Sequence, residues 1–207
     1  MKTTLLLFLL LAGVACAESK VPADFDEMFG RLAGLVDREE VGVMDMARGS
    51  YDGARFIGVG APGVERLDSR FLDAGSFGEA AVAGLYMTVW GKAEHLAKIR
   101  RELETNPLKR KWLSGLVGSE ELFFGSMSGG AAYQPLLRLL PTVGGTRSLA
   151  MLCIGSKDPL VRRAGLFWGF WLADDSYWKA VRMLAKNEND RTTLKVVQRL
   201  LLRPEAK

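Results

Sequence analysis

Ala164-Gly165-Leu166-Phe167-Trp168-Gly169-Phe170-Trp171 is the most apolar and most aromatic run of the chain beyond its first 17 residues. A second stretch, Ala83-Gly84-Leu85-Tyr86-Met87-Thr88-Val89-Trp90, reads the same way: Ala-Gly-Leu-aromatic, three residues, then Trp. The offset is 81 residues, three units of 27. A helix apolar on nearly every side must be covered on both sides. Its recurrence points to a repeated helical unit whose neighbours supply that cover.

Outward from these runs the text is helix, break, helix, break. From Gly78 on, periodic apolar segments are expected at 79–90, 93–104, 108–117, 120–127, 132–140, 147–154, 159–172, 176–186 and 190–202. The breaks carry Gly91, Asn106-Pro107, Gly118-Ser119, Ser128-Gly129-Gly130, Pro141, Gly155-Ser156 and Pro204. Asp158 and Pro159 suit the cap and first position of a helix, and Asp175 or Ser176 suits the cap of the next. Upstream, Phe25, Met28, Phe29, Leu32, Leu35 and Val36 predict a helix over 23–38, with anions in its first turn. A short helix at 40–48 and another at 64–72 flank residues 49–63, whose five glycines and one proline read as an irregular loop. No segment alternates with period two, so no β-sheet is expected and the fold class is all-α.

Asp158-Pro159-Leu160-Val161-Arg162-Arg163-Ala164 resembles the opening of a bacterial HEAT-type repeat, Asp-Pro-x-Val-Arg-x-Ala. Asn106-Pro107-Leu108-Lys109-Arg110 is a partial echo, and the resemblance covers residues 78–203. It implies that Asp-Pro caps a helix, that Val161 and Ala164 face the core, and that the motif arginine, Arg162, reaches the neighbouring repeat. It implies a short α-solenoid of stacked hairpins that works as a binding surface and brings no catalytic residues. On this reading residues 78–207 form the repeat region and 18–77 an N-terminal helical cap.

The first 17 residues read as an export signal. Lys2 is the positive end, residues 5–11 the apolar core, and Ala15-Cys16-Ala17 a small-x-small cleavage site. The apolar run is too short to cross a bilayer of ~30 Å as a helix. Lipidation of Cys16 is the alternative, and Gly13 departs from the leucine that such lipoprotein sites prefer. Ordinary cleavage after Ala17 therefore fits better. The expected location is periplasmic or secreted, with a lipid-anchored envelope protein as the alternative.

Charge is mixed: 28 cations and 24 anions give +4, and the basic residues are scattered along the text. A nucleic-acid partner calls for clustering on one face and is not expected. Beyond Cys16 only Cys153 remains, inside the apolar run 149–154, so no fold disulfide is expected and the thiol reads as buried and inert.

The candidate chemistry is thin. Gly58-Val59-Gly60-Ala61-Pro62-Gly63 matches Gly-x-Gly-x-x-Gly but lacks the strand and parallel sheet of a dinucleotide site. Ser176-Tyr177-Trp178-Lys179 matches Ser-x-x-Lys without the partner motifs of penicillin-recognising enzymes, which leaves Ser176 as a helix cap. His95 is the sole histidine, and a zinc site would need three further ligands, so no metal or cofactor is expected. The aromatic set carries the most functional weight. Trp168, Trp171 and Trp178 would be anchors for a partner wherever they are exposed. The reading is an exported, non-catalytic interaction module of the bacterial envelope whose partner is another protein. A small envelope hydrolase using Ser176 or His95, and a lipoprotein that holds an apolar ligand between its helices, are the alternatives.

Overall fold

The computed structural model describes residues 21–38, 51–129, 145–170 and 174–203. The expected signal segment with Cys16, the helices expected at 40–48 and 132–140, and Trp171 lie outside the described residues. Among the described residues there are eleven α-helices and no strand. They are α1 (Phe25–Asp37), α2 (Tyr51–Gly58), α3 (Val64–Leu72), α4 (Phe77–Trp90), α5 (Ala93–Thr105), α6 (Pro107–Val117), α7 (Glu120–Gly129), α8 (Gly145–Ile154), α9 (Pro159–Phe170), α10 (Asp175–Asn187) and α11 (Arg191–Leu201). The all-α expectation holds, and the predicted segments match these helices within a few residues at each end.

Residues 49–63 are the correction. The glycine-rich stretch contains helix α2 and a 3₁₀ turn at Ala61–Gly63, not an irregular loop. Two things make α2 stable despite Gly53. Its Phe56 is wholly buried, stacked on Phe25 with centroids 4.8 Å apart and edge-on to Tyr86 at 4.9 Å. The carbonyls at a helix C-terminus lack partners within the helix. Here α4 supplies donors at that end: Trp90 Nε1 donates to the Ile57 carbonyl at 2.8 Å, and Tyr86 Oη to the Gly60 carbonyl at 2.5 Å. Gly60 takes φ of +78°, where a side chain would be strained.

Consecutive helices pair as α3–α4, α5–α6, α8–α9 and α10–α11. The first helices touch in the order α3, α5, α8, α10, and the second helices in the order α4, α6, α9, α11. Helix α1 packs on α2 and α4, and α7 packs against α6, α9 and α11. The two matching runs of sequence lie in α4 and α9, each the second helix of its pair. Gly84 faces Phe71 of α3, and Gly165 faces the backbone of α8.

A chain of polar contacts ties the second helices together. Asn106, Asp158 and Asp190 cap α6, α9 and α11, each accepting from backbone N–H groups of the first turn. Arg110 of α6 donates to Asp158, and Arg163 of α9 donates to Asp190 at 2.8 Å. Arg163 also donates to the Val117 carbonyl at the end of α6, at 2.8 Å, and to the Thr193 hydroxyl at 2.9 Å. Arg162 holds Glu188 through two bonds of 2.7 Å each. Val161 and Ala164 are wholly buried.

Two capping carboxyls respond to these contacts. Burial alone would raise Asp174 and Asp190, yet both are held below the usual carboxylate value. For Asp174 the Ser176 hydroxyl and the Tyr177 amide outweigh burial, and for Asp190 the Thr193 hydroxyl and amide with Arg163 do so. A carboxyl depressed in the folded state contributes stability above its unfolded value, and that contribution is lost as pH falls through the folded value. The thermal midpoint should therefore hold down to about pH 5 and fall progressively below about pH 4. An Asp174→Asn/Asp190→Asn variant should start lower at neutral pH and show a shallower acid limb in a circular-dichroism melt.

Candidate functional site

Trp178 is buried, only 4% exposed. Its ring lies edge-on to Tyr177 at 5.0 Å and to Phe170 at 6.4 Å. This corrects its reading as a surface anchor. Helix α10 turns Tyr177, Trp178 and Val181 inward onto α9 and α11, and its outer arc carries charge instead. The indole N–H of Trp178 has no hydrogen-bond partner among the described residues. Trp168 is half-buried against the core. With Trp171 outside the described residues, the three expected anchors do not assemble into one described surface.

The residues weighed for catalysis have local duties. Asp174, not Asp175 or Ser176, caps α10: its Oδ1 accepts the Tyr177 N–H at 2.9 Å. The Ser176 hydroxyl donates to Asp174 Oδ1 at 2.6 Å and accepts from Arg147 Nη2 at 2.7 Å. Lys179, the other member of Ser-x-x-Lys, points outward on the exposed arc. His95 Nδ1 accepts the Lys92 N–H at 3.0 Å and helps to start α5. The Gly-x-Gly-x-x-Gly stretch follows a helix, not a strand, and its last glycine is closed in by aromatic side chains. A Cβ on Gly63 would stand 2.4 Å from Tyr86 Oη and 2.8 Å from Phe25 Cζ.

Cys153 is wholly buried, and burial pushes its thiol up to about 12. Arg100 acts in the opposite sense and is outweighed. The thiolate is the reactive form, so this cysteine is silent at neutral pH. Ellman's reagent should leave Cys153 unmodified in the native protein over hours and react with it at once in guanidinium. Fast native labelling would mean that α8 opens readily.

The surface that does assemble lies elsewhere. Phe77, the first residue of α4, meets Trp112 of α6 edge to face, centroids 5.8 Å apart. Leu108 sits one turn before Trp112, on the same side of α6. Phe77 is 44% exposed, Leu108 38% and Leu72 37%. Beneath them, Lys109 is almost wholly buried. Its ammonium donates to the Leu72 carbonyl at 3.0 Å and to Glu102 Oε2 at 3.1 Å, and lies 4.9 Å from the centre of the Phe71 ring. That ammonium pins the start of α6 to the end of α3, so the apolar side chains stand on a fixed base.

Sequence reasoning missed this patch because it followed tryptophan density. A signal was available: Leu108 and Trp112 lie off the arc of α6 that carries the core residues Leu113 and Val117. Among the described residues no group of three or more His, Cys, Asp or Glu side chains could hold a metal. No helix among them is long and apolar enough to cross a membrane. No family model matches this chain, and no curated protein or solved structure is significantly similar to it.

Proposed function

We propose that the chain is a non-catalytic interaction module of the bacterial envelope, a short HEAT-like α-solenoid on which a partner protein docks. The observation that carries the reading is the apolar patch of Leu72, Phe77, Leu108 and Trp112 on its lysine-pinned base. Exposed Leu72, Phe77 and Leu108 beside the half-buried Trp112 are costly to leave in water, and interfaces concentrate such residues at their centres. The repeat architecture has separate support. First helices neighbour first helices and second helices neighbour second helices through four pairs. The Arg162–Glu188 contact, which reaches the next helix pair, with Val161 and Ala164 buried, accords with what the HEAT resemblance implies. Linked repeats of this kind present extended surfaces suited to other proteins.

The test is capture from solubilised envelope with a photo-crosslinker at position 111, beside the patch. The parent is compared with a Phe77→Ser/Trp112→Ser variant. A defined partner held by the parent and lost by the variant, with helical circular dichroism unchanged, supports the reading. Retention by the variant overturns the patch, and absence of any partner with either form overturns the module.

A further inference from the structure

The last helix pair carries a second surface, distinct from the apolar patch. Residues 174–203 hold seven cations and four acids. Three of the acids are turned to arginines of α8 and α9: Asp174 to Arg147 at 2.8 Å, Glu188 to Arg162 at 2.7 Å and Asp190 to Arg163 at 2.8 Å. Asp175, at the very start of α10, is the exposed acid that remains.

The cations divide by direction. Arg199 pairs with Glu120 at 3.2 Å and lies over Phe124 at 4.1 Å, while Arg203 lies over Phe170 at 4.8 Å. These two face α7 and α9. Lys179, Arg182 and Lys186 occupy the outer arc of α10 at i, i+3, i+7, and Arg191 and Lys195 the outer arc of α11 at i, i+4. Lys179, Lys186, Arg191 and Lys195 form no ion pair within the described residues. Glu121 lies close enough to feel Lys195 and Arg199 electrostatically, and it tempers that edge of the face. Two aliphatic side chains are also exposed: Met183, 57% exposed, which lies between Arg182 and Lys186 on α10, and Leu202, 82% exposed, at the C-terminal end of α11.

Both helices press their inner sides on α9, so their outer arcs form one face at the end of the stack. We infer that this face docks peripherally on an anionic lipid bilayer surface. Three features favour a bilayer over an acidic protein. The cations run about 10 Å along α10, from Lys179 to Lys186, and continue across α11, which suits a laterally uniform negative plane. The exposed Met183 among the cations and Leu202 at the end of α11 are flexible aliphatic chains suited to entering a headgroup layer. The arcs carry no exposed aromatic anchor of the kind that protein interfaces favour. The inference goes beyond the protein-partner reading and stands or falls separately from it, because no residue is shared between the two surfaces.

The experiment is co-sedimentation of the full chain with vesicles of phosphatidylcholine alone and of phosphatidylcholine with phosphatidylglycerol. The neutral vesicles measure whatever the apolar run at residues 5–11 contributes. Partition should be stronger on the anionic vesicles and should weaken as salt rises from about 0.1 M to about 1 M, where the screening length falls to about 3 Å. Lys179→Gln, Lys186→Gln and Lys195→Gln should each lower anionic partition about fivefold. A Lys179→Glu/Lys186→Glu/Lys195→Glu variant should bind anionic vesicles no better than neutral ones, with its helical circular dichroism and melting unchanged. Equal binding of the parent to both vesicle types overturns the inference, as does undiminished anionic binding by the triple variant. Binding of the parent to an immobilised polyglutamate column but to neither vesicle overturns it in favour of an acidic protein partner.

Discussion

Gly165→Ala should lower the stability of this protein by about 3 kcal/mol, near the upper end of what overpacking costs. A Cβ built at Gly165 falls 2.5 Å from the Ile154 nitrogen, 2.7 Å from the Ala150 carbonyl oxygen and 2.9 Å from the Cys153 carbonyl carbon. All three are backbone atoms of α8. No rotamer change relieves the clash, so α8 and α9 must move apart, and this pair packs more extensively than any other. Alanine would gain up to about 1 kcal/mol in helix propensity, which is too little to offset the separation. For a chain of this length the melting midpoint should drop by roughly 6–12 °C. Gly115→Ala is the internal control. It lies in α6, and a Cβ placed there would meet nothing within 4 Å, so propensity alone acts and the midpoint should rise slightly. If both variants melt like the parent, the close approach of α8 and α9 does not exist in solution.

Arg163→Met should cost a similar amount, about 3 kcal/mol, at the low end for breaking a buried pair. Arg163 is 7% exposed, and burial works against its charge while Asp190 and Asp158 support it. Its guanidinium bonds the last carbonyl of α6, the capping carboxylate of α11 and the Thr193 hydroxyl at once. Methionine restores much of the volume but leaves those acceptors without a cation. Asp190 is partly open to solvent and still caps Thr193, which keeps the loss from being larger. The comparison is Arg31→Met on α1, where an exposed i, i+4 bridge to Glu27 should contribute under about 1 kcal/mol. Urea denaturation of both variants measures the contrast. Equal midpoints would mean that Arg163 does not link three helices.

The Asp158-Pro159 start of α9 shows what is local in such a chain. A capping carboxylate and a ring-fixed first residue act within four positions, so their effect is legible without knowing the fold. Helix α2 is the opposite case. Its glycines argue against a helix, and only Phe25, Tyr86 and Trp90, some thirty residues away on either side, supply the burial and the donors that hold it. Trp178, expected as an anchor, is core, while Trp112, which the sequence did not single out, is half-buried and edges a surface patch. Periodicity reveals that a face is apolar and leaves open whether another helix covers it.

By itself the sequence determined the helical class and most helix starts and stops, because these depend on contacts within a turn or two of the chain. Only the tertiary structure decided that α2 exists and that Trp178 is interior. It alone brought Phe77 to Trp112 and turned Asp174, Glu188 and Asp190 away from the outer arcs of α10 and α11. Each of those outcomes depends on which distant helix supplies a partner, and burial and charge compensation are properties of the packed assembly rather than of any local stretch.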